Sequence, residues 1–226
     1  FEDAMAKHDF LKADIYMARM KEIAGEDVST QRYIRRESAF LDYYLQRMTA
    51  EQLVAELEQL AEEVVPWYKQ FLDSEVVYPF REQEITLLKR LAVAYGRIDE
   101  HPKSIKICEM LLCSLREGYM AEWEIEELSI AANLSKYYGA VGNYRYSMEL
   151  CEYILPKARK YANAPIMTFV LGEMAWNMNE MIESGMEGEE KAEYCRKKYK
   201  QAYFVSAAAS GELDKKVFSD LYETMF

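Results

Sequence analysis

A chain of 226 residues that is 50% hydrophobic carries enough apolar material for a continuous buried core, and its 30% of charged residues are spread along it rather than run together. Its 39 acidic against 28 basic side chains give a net charge of −11, which repels a phosphate backbone and excludes nucleic acid as something this chain holds by itself. No apolar stretch approaches the roughly 18 residues that a membrane span requires, so no membrane partner is expected.

The chain starts at Phe1 without a basic-then-apolar leader, and it reads as a piece of a longer protein. Cys108, Cys113, Cys151 and Cys195 have neither C-x-x-C nor Cys/His ligand spacing. They read as reduced core thiols of a cytoplasmic protein, with no metal and no cofactor expected.

In chain order the periodicity is helical nearly throughout. "DFLKADIYMARM" places Ala13, Met17 and Met20 on one helical face. "FLDYYLQRMTAEQLVAELEQL" brings Tyr44, then Leu53, Leu57 and Leu60, with Thr49 and Gln52 spaced as a capping box at the helix start. "SEVVYPF" is too short, and too interrupted by Pro79, to be a strand, and reads as a loop. "SIKICEMLLCSL" follows Pro102 at a helix start, and "RYSMELCEYIL" repeats its pattern.

The informative feature is self-similarity. Laid without a gap over "IAANLSKYYGAVGNYRYSMELCEYIL", the segment "LLKRLAVAYGRIDEHPKSIKICEMLL" puts Leu91 on Leu134, Ala92 on Ser135 and Tyr95 on Tyr138. On the following helix Ser104 falls on Ser147, Cys108 on Cys151 and Leu111 on Ile154. Each segment is a helix, a tight turn at Gly142-Asn143 or its counterpart, and a second helix. Downstream, Leu171-Gly172 and then Cys195, Tyr199 and Ala202 repeat the unit with a longer joining segment through Gly185 and Gly188. Five helix pairs are expected, closed by a helix in "GELDKKVFSDLYETMF" with Val217, Phe218, Leu221 and Tyr222 on one face.

These positions resemble the tetratricopeptide repeat, with its large residue, Leu-Gly and Tyr on the first helix and small and aromatic places on the second. The resemblance implies an all-α, right-handed solenoid of antiparallel helix pairs with a C-terminal capping helix, one domain over residues 1–226. More widely, the order of "FEDAMAKHDFLKAD", "REQEITLLKRLAVAYGRIDEHPKSIKICEMLL" and "CRKKYKQAYFVSAAASGELDKKVFSDLYE" resembles the C-terminal repeat domain of Gram-positive Xre-type helix-turn-helix transcriptional regulators, the peptide-pheromone sensor class. That resemblance implies a ligand-sensing, homodimerising domain that reaches DNA only through a helix-turn-helix domain upstream of Phe1. A repeat adaptor for other proteins and the sensor of a response-regulator phosphatase share the architecture, and remain open.

Nothing in the sequence points to catalysis. His8 and His101 are far apart and read as solvated surface residues, and no phosphate loop, nucleophile elbow or metal helix occurs. A solenoid instead offers a groove lined by the first helix of each pair. The register of Tyr95 and Tyr138 places Lys89, Arg90 and Val93, then Asn133, Lys136 and Ser129, on that groove. The same places fall on Arg35, Ser38 and Asp42 upstream, and on Phe169, Glu173, Trp176 and Asn177 downstream. Asparagine amides suit a peptide backbone, Lys89, Arg90 and Lys136 suit a carboxylate, and Trp176 offers flat apolar area, so the expected ligand is a short peptide or protein segment. Met174, Met178 and Met181 read as a packing stripe.

Overall fold

The computed structural model describes residues 1–72, 78–117 and 123–208. Readings made on 73–77, part of the loop at "SEVVYPF", and on the capping helix at 211–226 lie outside the described residues. Among the described residues the protein is all-helical, with no strand. Its helices are α1 (Glu2–Ala6), α2 (Phe10–Ile23), α3 (Val28–Tyr44), α4 (Ala50–Val64), α5 (Tyr68–Phe71), α6 (Glu82–Gly96), α7 (His101–Glu117), α8 (Glu124–Ala140), α9 (Tyr144–Lys160), α10 (Ala164–Glu183) and α11 (Ala192–Ala208), the last preceded by a 3-10 turn at Glu189–Lys191. None of them is long and apolar enough to cross a membrane. The chain divides into two compact units, Phe1–Lys103 and Ser104–Phe226.

In the first unit α1 packs on α2, α2 on α3, α3 on α4 and α4 on α6. Ala13 and Met17 meet Ile34 and Leu41 in one buried cluster, into which Phe1, Met5 and Phe10 also pack. The capping box that starts α4 forms as the spacing predicts, with the Gln52 amide N–H donating to Thr49 Oγ1 at 3.2 Å and Thr49 N–H to Gln52 Oε1 at 2.9 Å. In the second unit α8, α9, α10 and α11 pack in sequence, and α8 also touches α10. Met178 and Met181 are buried against Cys195, so the methionine stripe is packing.

The overlaid positions have matching environments. Leu91, Ala92, Ser104, Cys108 and Leu111 are buried, and so are Leu134, Ser135, Ser147, Cys151 and Ile154. The Tyr95 hydroxyl reaches Glu58 on α4, and that of Tyr138 reaches Glu109 on α7, in each case the second helix of the preceding pair. The buried second-helix positions Ala13, Leu53, Ser104, Ser147 and Cys195 recur 40, 51, 43 and 48 residues apart. Those intervals exceed the roughly 34 residues of a basic repeat, and α5 with its flanking loops occupies the longest of them.

Among the described residues, six helix ends share one closure. A residue in the left-handed region is followed by one whose N–H bonds the carbonyl five residues back, capping the last turn. The left-handed residues are His8, Gln46, Asp99, Gly142, Ala162 and Gly185, and the bonds include Asn143 N–H to Tyr138 O at 2.9 Å and Glu100 N–H to Tyr95 O at 3.1 Å. Only two of the six are glycine, so four side chains accept strain of about 1 kcal/mol each to end a helix where the packing requires it. Ala162→Gly is therefore expected to stabilise the protein by up to about 1 kcal/mol in urea denaturation, since its φ of 50° no longer opposes a Cβ.

Helix α9 continues through Pro156 to Lys160, because burial of Ala158 in the helix packing outweighs the one backbone bond that proline removes. Two expectations need correction. Cys113 is exposed, unlike Cys108, Cys151 and Cys195, and so is not a core thiol. The His101 side chain is only 17% exposed and lies 3.5 Å from Asp99, so it is not a solvated histidine, whereas His8 is exposed.

Candidate functional site

The expected site residues fall in both units. In the first, Arg90 on α6 is drawn inward. Its Nη2 lies 3.2 Å from Glu37 Oε2 on α3, and its guanidinium sits 4.8 Å from the centre of the Phe40 ring. Glu37 is buried and also accepts from Arg36 Nε at 2.8 Å, which makes one carboxylate shared by two guanidiniums. Arg90, Glu37, Tyr44, Phe10 and Phe1 border a cavity of about 230 Å³. Lys89, next to it on α6, is half-buried.

The α3 positions that the repeat register carried onto this face are not there. Arg35, Ser38 and Asp42 line a separate depression of about 610 Å³ with Lys21 of α2 and Glu56 of α4. Two residues along a helix are about 200° of rotation, so they stand on the opposite side of α3 from Glu37, Phe40 and Tyr44. Arg35 is already committed within that depression, to Glu56 at 2.5 Å and Glu63 at 2.8 Å.

In the second unit four expected residues lie on the packed helices α8 and α10. On α8, Asn133 is half-buried and Lys136 exposed. The helices approach at Gly139, where a Cβ would lie 2.7 Å from Trp176 Cζ3 and 2.8 Å from Asn177 Oδ1. Trp176 remains partly open and meets Tyr144 edge to face at 5.9 Å.

Asn177 is fully buried, which removes it from any open groove. Its Nδ2 donates to Ser147 Oγ and to the Glu173 carbonyl, each at 2.8 Å, and Ser147 Oγ donates to the Ser135 carbonyl at 2.7 Å. The amide thus ties α10 to α9, and through Ser147 to α8. The close approach at Gly139 is the physical reason that it is a packing residue.

Glu173 carries the most unusual electrostatics of this face. Its Oε2 is buried with no hydrogen-bond partner, and burial pushes the carboxyl up to about 7 against the opposing pull of Lys136. Near neutral pH the group is therefore poised between a neutral acid that can donate and a carboxylate that can bind a cation. Its position was legible in the repeat register, but its desolvation was not.

No protein-family model and no curated protein sequence matches the chain. Solved structures do. Bacillus thuringiensis PlcR, in complex with the peptide PapR7 and DNA, is 17% identical with a TM-score of 0.62, over 96% of this chain and 75% of that one. A kinesin light chain-type protein of Podosopora anserina, built of nearly identical TPR-like repeats, is 14% identical with a TM-score of 0.56, over 92% and 90% of the two chains. At such identities the likeness shows the fold: this protein has the TPR-like helical architecture.

Proposed function

We propose that this chain is the ligand-sensing and dimerisation domain of a cytoplasmic transcriptional regulator, binding a short peptide or protein segment on the faces of its first helices. The observation that carries the reading is that the packed helices α8 and α10 carry a half-buried amide (Asn133), an exposed ammonium (Lys136), a carboxyl whose buried Oε2 has no hydrogen-bond partner (Glu173) and a partly open indole (Trp176). Such a set can pair with a peptide backbone, a peptide carboxylate and an apolar side chain at once. PlcR, of similar fold, was solved with a peptide and DNA, which supports the peptide and the regulatory role as a proposal for this chain. Lys89 and Arg90 are proposed as a separate carboxylate-binding place on α6 of the first unit. DNA is reached through a helix-turn-helix domain upstream of Phe1, and the active form is a homodimer.

The test is a positional-scanning library of free-carboxylate peptides, read by calorimetric titration of the best binder. Asn133→Ala is expected to weaken binding by about 1–3 kcal/mol, the usual cost of unpaired partners. Lys136→Ala should weaken it more at low salt than at high salt. Both should melt nearly as the parent does, whereas Leu134→Ala, buried one position away, should lose about 2–5 kcal/mol of stability through the cavity it leaves. A library with no binder, or equal affinity for parent and Asn133→Ala, overturns the reading.

A further inference from the structure

Two guanidiniums share one buried carboxylate in the first unit, which leaves positive charge in excess there. Arg36 Nε and Arg90 Nη2 donate to Glu37 at 2.8 Å and 3.2 Å, and take one oxygen each. Glu2, the other carboxylate bordering the cavity of about 230 Å³, is exposed and accepts from the Tyr33 hydroxyl at 3.1 Å. Arg90 keeps the larger unmet demand. Its side chain is 35% exposed and borders that cavity, and its Nε is buried with no hydrogen-bond partner among the described residues. Glu37 at one nitrogen and the Phe40 ring centre 4.8 Å from Cζ hold the guanidinium, so its donor fork is ordered before a ligand arrives.

Most of the remaining wall is apolar. Phe10 and Tyr44 stack with ring centres 4.7 Å apart and planes 5° apart, and Phe1 and Met5 line the same cavity. His8 meets Phe10 edge to face at 5.7 Å and is exposed, at the rim. The cavity has the volume of roughly seven to eight waters at about 30 Å³ each, enough for one ring with a short acidic tail and less than a drug-sized ligand fills.

We infer that this cavity binds a monoanionic carboxylate that carries an aromatic group, with the Arg90 guanidinium on the carboxylate and Phe10 and Tyr44 against the ring. The inference rests on the carboxylate-binding place proposed on α6 and deepens it: the anchor is Arg90, which borders the cavity, and not Lys89, which does not. A single negative charge fits better than a phosphate, because Glu2 and Glu37 border the same cavity and oppose a second one. A free aromatic acid and the C-terminal phenylalanine of a peptide present the same carboxylate and ring.

The test is calorimetric titration of the full 226-residue chain with hydrocinnamate and with N-acetyl-Gly-Phe, each against its amide. Methionine methyl NMR spectra locate the ligand, with Met5→Leu identifying the Met5 signal. At least one acid is expected to bind and shift that signal, the tighter of the two naming the source, and its amide to bind at least about tenfold more weakly. Arg90→Lys keeps a cation against Glu37 but loses the planar fork, and should weaken binding by about tenfold. Met5→Trp fills the cavity, leaves the ion network in place and should abolish binding in a chain that thermal melts show to be folded. Lys89→Ala and Asn133→Ala should leave it unchanged. No binding of either acid, or an amide that binds as tightly as its acid, overturns both this proposal and the carboxylate-binding place on α6. An acid that binds without moving the Met5 signal, and equally well to Met5→Trp, overturns the cavity alone.

Discussion

Glu37→Ala is expected to lower the stability of the protein by about 3–5 kcal/mol in urea denaturation, the largest effect of any single polar substitution described above. Glu37 is 4% exposed and is bonded by Arg36 at 2.8 Å and Arg90 at 3.2 Å. Removing it leaves two guanidiniums facing each other in the first unit, with Arg90 Nε already buried and without a partner. The cost arises from stranded charge more than from the lost attraction. Replacing Glu37, Arg36 and Arg90 together with apolar residues of similar volume should therefore be far less harmful than Glu37→Ala alone. A loss below about 1 kcal/mol for Glu37→Ala would mean that water reaches the network, as it does at a surface ion pair.

Glu173 should make stability depend on pH in the opposite sense from an ordinary paired carboxylate. Its folded-state value of about 7 lies above the 4.5 of an unperturbed glutamate, so between those values the native state binds more protons than the unfolded one. The contribution is complete below about pH 4.5 and is lost as pH rises through about 7, amounting to about 3 kcal/mol. Glu173→Gln, which cannot ionise, should gain about that much over the parent at pH 8 relative to pH 4.5, measured by urea melts across the range. Equal pH dependence in the two proteins would place the carboxyl in water. Lys136→Ala should enlarge the pH effect, because it removes the cation that favours the ionised form.

The helix pairs, the capping box at Thr49 and the matched burial of five of the six overlaid positions follow from local signals, while Tyr95 is buried and its counterpart Tyr138 half-buried. Apolar side chains three and four apart must share a face, a Thr-x-x-Gln spacing satisfies two orphan N–H groups, and a small residue recurs where a second helix comes close. Gly142 announces its turn in the same way. The closures at Gln46 and Ala162 do not, since those residue types disfavour a positive φ and adopt it only because packing sets the helix length, whereas His8 and Asp99 are of types that tolerate it.

The site residues divide along the same line. Which residues lie on first helices was readable, but rotation was not: α3 lacks a repeat signature strong enough to fix its register, and Arg35, Ser38 and Asp42 turn away from Arg90. Asn133 and Asn177 are alike in local pattern, yet the approach of α8 and α10 at Gly139 leaves one partly open and seals the other. The desolvation of Glu173 and the sharing of Glu37 between two arginines depend on groups distant in the chain. Helical periodicity is a short-range property and the sequence by itself determined it. Burial and charge proximity are set by which helices meet, and only the tertiary structure decided them.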